Sequence, residues 1–281
     1  MITPSLNDLQ EIRKQGIYRT APVSMEILSD IKTPIEVLKI LKNVSDHCYL
    51  LESVADNEKW GRYTFLGYDP SLEITCLNGQ MKIGSLTFET TDPGSYIRQV
   101  VADHKSPKFD YLPSFTGGLV GYFSYDYLKY AEPTLRLDAE DTEGFKDVDL
   151  MLFDKVIAFD KFRQKIILMV NIDLEHLETE YNRASLELRS MADLIKNGEP
   201  KEDIPGHCTT PVTPLFQKEE YCEMVEKAKH HIKEGDIFQI VLSNRLEAGF
   251  EGSLLNTYRI LRTLNPSPYM FYFSSSDMEV A

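Results

Sequence analysis

Apolar residues recur at spacings of three and four through Leu174, Leu177, Tyr181, Ala184, Leu188, Met191 and Ile195, which puts one apolar stripe on a helix several turns long. The stripe stops at Asn197-Gly198, so packing on a sheet is preferred to a coiled-coil seam. Thr33-Pro34 followed by Ile35, Leu38 and Leu41 predicts a second helix, with Thr as N-cap, running to about Val44. Period-two segments predict strands over Cys48–Val54 and Arg62–Tyr68, and a hairpin within Leu72–Glu89 that turns at Asn78-Gly79. The run Leu150–Phe159 reads as one strand that a polar turn at Asp160–Gln164 joins to another over Lys165–Ile172. Thr116–Tyr125, with glycines at 117, 118 and 121, reads as a strand with close backbone packing; its spacing is not that of a phosphate loop or a dinucleotide fingerprint.

Prolines at 200, 205, 211 and 214 interrupt the pattern and suggest a boundary. The expected organisation is a first region over 1–200, a linker over 201–214 and a second region over 215–281. In the second, Tyr221, Val225, Ala228 and Ile232 predict a helix stopped by Gly235. A strand is expected over Asp236–Leu246, with Phe238, Ile240 and Leu242 on one face. Ser253 caps a further helix to Leu264, and Asn265–Pro268 ends it before a last strand from Tyr269 to Phe273. Hairpins combined with helices predict an α+β fold on antiparallel sheets.

Composition narrows the function. The chain has 281 residues and a net charge of -14, which gives no basic excess for nucleic acid and leaves any anionic ligand dependent on local cations. No apolar run is long enough to span a bilayer and the N-terminus has no secretion-signal pattern, so the chain is expected to be cytoplasmic, with no membrane partner. Four cysteines lack Cys-x-x-Cys spacing and read as reduced thiols. Six histidines lack metal-site spacing; His230 and His231 are adjacent and diverge by about 100° on a helix.

Two strings stand out. Prolines flanking Ser267 in Asn265-Pro266-Ser267-Pro268-Tyr269-Met270 stiffen that segment into a wall that loses little entropy when a ligand packs on it. With Leu50-Leu51-Glu52-Ser53, with Phe115-Thr116-Gly117-Gly118-Leu119-Val120-Gly121-Tyr122 and with Gly235-Asp236-Ile237-Phe238-Gln239-Ile240-Val241-Leu242-Ser243, it resembles anthranilate synthase component I, of the chorismate-using enzymes.

That resemblance implies a four-layer α/β/β/α fold of two orthogonally packed antiparallel sheets flanked by helices. It also implies a feedback site for L-tryptophan at Ser53 and Pro268-Tyr269-Met270, with Glu52, Asn265 and Ser267 nearby. Glu52 and Ser53 suit the charged ends of an amino acid, and Pro268 and Met270 suit an indole. Gln239 is a candidate for the chorismate pocket. Isochorismate synthases carry a lysine there, a base for water, whereas glutamine can only orient a nucleophile such as ammonia. The implied reaction takes chorismate and ammonia from a glutamine amidotransferase partner (component II) to anthranilate and pyruvate, with Mg2+ as Lewis acid. The resemblance further implies that the Mg2+ ligands and the catalytic residues lie in a C-terminal portion beyond Ala281. The fold is then incomplete at its C-terminus, no catalytic or metal residue is expected in this chain, and the chain alone is expected to be inactive. Aminodeoxychorismate synthase component I, a non-catalytic tryptophan-binding fragment and a bare interaction domain are the alternatives.

Overall fold

The structure is a computed structural model and describes residues 2–53, 61–132, 134–135, 141 and 143–281. It divides into two units, residues 1–202 with 261–281, and residues 203–260.

The first unit contains β1 (Ile2–Thr3), α1 (Leu6–Lys14), β2 (Thr20–Leu28), α2 (Pro34–Val44), β3 (Cys48–Glu52), β4 (Tyr63–Tyr68), β5 (Leu72–Leu77), β6 (Gln80–Ile83), β7 (Leu86–Glu89) and α3 (Pro93–Asp103). It continues with β8 (Gly118–Phe123), α4 (Leu128–Ala131), β9 (Val148–Phe153), β10 (Lys155–Asp160), β11 (Lys165–Asp173) and α5 (Leu177–Asn197). The second unit holds β12 (His207–Cys208), β13 (Thr213–Pro214), α6 (Lys218–Glu234), β14 (Leu246–Glu247) and β15 (Phe250–Glu251). The boundary falls inside α7 (Leu255–Leu264), after which β16 (Met270–Ser274) and β17 (Glu279–Val280) return to the first unit.

The caps form where the sequence puts them. Thr33 and Glu36 close a reciprocal capping box on α2, Gly235 ends α6 in the left-handed conformation, and the Ser253 hydroxyl accepts from the Leu255 N–H at α7. Asn78 and Gly79 both take positive φ, 50° and 82°, which is the turn a two-residue hairpin needs.

Two antiparallel sheets make the first unit. Eight strands run in the order β1-β2-β11-β10-β4-β3-β16-β17 and five in the order β7-β6-β5-β9-β8. On one face of the larger sheet α5 lies on β11 and β2, and α2 lies on β3 and β4. The α5 stripe is buried at Leu177, Ala184, Leu188, Met191 and Ile195, so it faces the sheet rather than a partner helix. The opposite face meets the smaller sheet: Tyr49 and Phe273 pack on Met151 and Phe153, with the Tyr49 and Phe153 rings edge-on at 4.7 Å. Ile97 and Val100 of α3 cover Ile74, Met81 and Val148 on the far side of the smaller sheet. The layers are therefore α/β/β/α, as expected.

Three expectations are corrected. Residues 150–159 are not one strand: β9 and β10 flank Asp154 and belong to different sheets, because both are buried on both faces and alternation cannot mark the break. Residues 236–245 form no strand, since no described strand lies alongside to pair their backbone; Phe238 and Val241 are exposed. Residues 261–281 do not group with 215–260, because β16 pairs with β3. Val54, the last residue of the expected first strand, lies outside the described residues.

The glycines of β8 do mark close approach. Gly121 has φ 154°, and a Cβ there would overlap the Asp149 carbonyl oxygen of the neighbouring strand.

Candidate functional site

α7 ends at Leu264 ahead of Pro266 and Pro268, and bends at Asn265 and at Pro268 and Tyr269 lead the chain into β16, whose aromatic-rich Met270–Ser274 pairs antiparallel with β3. Met270 stands opposite Glu52, Phe271 opposite Leu51, and Tyr272 opposite Leu50. The two strings that stand out in the sequence are therefore neighbours in one sheet.

Alternation divides their side chains between two faces. Glu52 and Met270 lie on the helix side, with Leu50 and Tyr272, and all four are buried. Leu51 and Phe271 lie on the other side. There they line a cavity of about 580 Å³ with Tyr49, Phe273, Val120 and Gly121. Ser53 follows β3 and is buried; its hydroxyl has no hydrogen-bond partner among the described residues. Asn265, Ser267, Pro268 and Tyr269 are exposed.

The helix-side face is charged. Arg262, on the last turn of α7, grips Glu52 with two contacts: Nη2 donates to Oε2 at 2.8 Å and Nε lies 2.5 Å from Oε1. The Glu52 side chain is 2% exposed and that of Arg262 31%. Glu52 is thus engaged within the protein by an ion pair with Arg262. Lys161, in the turn after β10, donates from Nζ to the Ser53 carbonyl at 3.1 Å. Lys161 is exposed, yet partial desolvation lowers the pKa of its ammonium; Glu52 opposes the fall and Arg262 adds to it. Neither Arg262 nor Lys161 was singled out by sequence, because a lone cation on a polar stretch carries no periodic signal.

The other end of β16 is clamped to α2. Lys42 Nζ donates to the Tyr272 hydroxyl and to Glu279, each at 2.8 Å, and the Tyr272 hydroxyl donates to Glu279 at 2.6 Å. Burial works against the Lys42 ammonium, but these bonds outweigh it and hold it protonated above the usual lysine range. Arg62 and Asp160 form a third pair at the start of β4, bonded at 3.0 and 2.6 Å.

Among the described residues one trio of potential metal ligands comes together, Asp173, Glu175 and His176, exposed where β11 leads into α5. Asp173 also accepts the Glu175 backbone N–H at 2.7 Å, so the trio is part of a local turn, and exposed acidic groups of this kind are common without a metal. Gln239 is exposed within the second unit. No helix among the described residues is long and apolar enough to cross a membrane.

Residues 46–281 match the family model described as chorismate binding enzyme. The chain belongs to the chorismate-binding enzyme family. Within that family it is 36% identical over 276 residues to anthranilate synthase component 1 of Acinetobacter calcoaceticus, covering 95% of this chain and 55% of the relative. It is also 36% identical over 289 residues to the Aquifex aeolicus protein of the same name, covering 97% and 57%. The crystal structure of anthranilate synthase component I from Streptococcus pneumoniae aligns with a TM-score of 0.61 at 28% identity, over 90% of this chain and 55% of that one. The chain therefore spans about half the length of the chorismate-binding relatives it matches.

Proposed function

We propose that this chain is part of an anthranilate synthase component I, which converts chorismate and ammonia to anthranilate and pyruvate, with a glutamine amidotransferase subunit supplying the ammonia. We further propose that L-tryptophan regulates it at the paired ends of β3 and β16. Similarity to named anthranilate synthases supports the reaction. The observation that carries the effector site is the register that sets Glu52 directly opposite Met270, leaving buried Ser53 and exposed Pro268 and Tyr269 at one end of the strand pair. A pre-shaped, proline-stiffened rim beside a buried hydroxyl that has no partner among the described residues suits a small rigid ligand with polar groups at one end.

The division of labour follows from the coverage. Because about half of each relative's length is matched, the 281-residue chain is expected to bind effector but not to turn over chorismate unless a further polypeptide supplies the remainder. Mg2+ belongs to the whole enzyme in this reading; no ligand set for it is assigned to these residues.

Two measurements test the proposal. Calorimetry with L-tryptophan is expected to show saturable binding to the chain, and Ser53→Phe is expected to abolish it by filling the space beside β16. Absence of binding to the wild-type chain refutes the effector site. Incubation with chorismate, Mg2+ and ammonium is expected to give no anthranilate fluorescence, and appreciable turnover refutes the assignment of catalysis to residues outside this chain.

A further inference from the structure

Among the described residues, the smaller sheet of the first unit ends in β8 and the larger in β17, each with a strand on one side alone. Both edges border one cavity of about 580 Å³: Val120, Gly121 and Tyr122 of β8 line it with Phe271 and Phe273 of β16 and Val280 of β17. It continues the space between the sheets that Tyr49, Met151 and Phe153 fill further in. β8 has none of the usual guards of a free edge. Gly118-Leu119-Val120-Gly121-Tyr122-Phe123 carries no charge and no proline, and on its outer side no described strand takes up the backbone N–H and C=O groups. Around the cavity, aromatic rings stand uncovered: Tyr125 is 86% exposed, Phe145 56% and Phe271 47%. Apolar surface gathered in one concave patch marks a contact site. The described lining residues include two carboxylates, Asp126 and Asp141, and no cation, so an anion such as chorismate is a poor match for it.

We propose that β8 and this cavity are the docking surface for the polypeptide that supplies the rest of the enzyme. It is received as an extended segment that pairs with β8, turns alternate apolar side chains into the cavity and meets Asp126 and Asp141 with lysine or arginine. This rests on the reading above that a further polypeptide completes the protein, since the chain spans about half the length of its relatives. A small apolar molecule would satisfy the aromatic walls but leave the edge backbone of β8 bare. A strand satisfies both, main chain to main chain and side chains to pocket.

The test co-expresses the tagged 281-residue chain with the part of the Aquifex aeolicus relative that lies outside the matched stretch, and measures how much of that part co-purifies. Wild type is expected to retain it, and hydrogen exchange of the complex against the chain alone is expected to show new protection at residues 118–123. Tyr125→Asp and Phe271→Asp, both at exposed positions, are each expected to lower retention roughly tenfold or more, the loss of one interface anchor. Leu86→Asp, 67% exposed on β7 at the other edge of the smaller sheet, is expected to leave retention within about twofold. Retention that survives both cavity variants, or falls equally with Leu86→Asp, overturns the docking surface. A wild-type complex without new protection at 118–123 overturns it whether or not the variants fold. Anthranilate formed by the wild-type mixture from chorismate, Mg2+ and ammonium then shows that the completing-polypeptide reading stands by itself. A complex that the cavity variants weaken but that forms no anthranilate overturns the catalytic reading and keeps the docking surface. No retention by wild type overturns both.

Discussion

The Glu52–Arg262 pair allows the sharpest energetic forecast. Replacing Arg262 with methionine keeps most of the apolar stem but leaves the Glu52 carboxylate, 2% exposed, without its two guanidinium contacts. Breaking a fully buried pair from one side costs about 3–5 kcal/mol. Arg262 is itself about one-third exposed and Lys161 lies close enough to supply some compensating charge, so the expectation falls to roughly 2–3 kcal/mol. Glu52→Gln is milder, at about 1–2 kcal/mol, because the amide oxygen still accepts a hydrogen bond and the guanidinium left behind reaches solvent. The double variant should cost less than the sum of the two, with a coupling energy of about 1–2 kcal/mol. Urea unfolding of the four proteins, followed by far-ultraviolet circular dichroism, measures all of these quantities. A coupling within error of zero, or a cost for Arg262→Met no larger than that for Glu52→Gln, refutes the claim that this pair anchors the end of β3.

Three further outcomes are expected. Burial pushes the Cys48 thiol up to about 12 and Cys76 is buried, while Cys208 and Cys222 are exposed; an aromatic disulfide reagent at pH 8 should label two thiols quickly and all four after denaturation. Gly121→Ala should destabilise by roughly 2 kcal/mol or more, read as a fall in urea midpoint, since φ 154° and the Asp149 carbonyl oxygen both exclude a Cβ. Burial alone would raise the Asp160 carboxyl, but Arg62 and the Arg163 and Phe162 backbone N–H groups outweigh it and hold it below the usual carboxylate range. Its stabilising contribution is then complete above the unfolded value near 4 and is lost as pH falls through the lower folded value. Asp160→Asn should therefore reduce the acid sensitivity of stability below about pH 4.

Local signals were legible because they act over a few residues. Thr33-Pro34, Asn78-Gly79, the α5 stripe and Gly235 each specify a cap, turn or face by short-range sterics and burial, and each formed at or within a few residues of the expected position. The break at Asp154 was not legible, since strands buried on both faces lose the alternation that separates them. Strand propensity over 236–245 misled for the opposite reason: β-rich residues make a strand only beside a partner, and none is described there. At the candidate site, the resemblance brought the two strings to attention, but register decided which side chains share a face. It put Glu52 and Met270 on one side, Leu51 and Phe271 on the other, and matched Glu52 with an arginine 210 residues away, a pairing that no local pattern encodes.

Hydrogen exchange of the chain with and without saturating L-tryptophan tests the central claim most directly, because it locates the ligand as well as detecting it. Increased protection of the backbone amides of residues 49–53, 161 and 269–273 together, with 236–245 unchanged, is the expected result. Protection confined to other segments, or none at all, contradicts an effector site at the joined ends of β3 and β16.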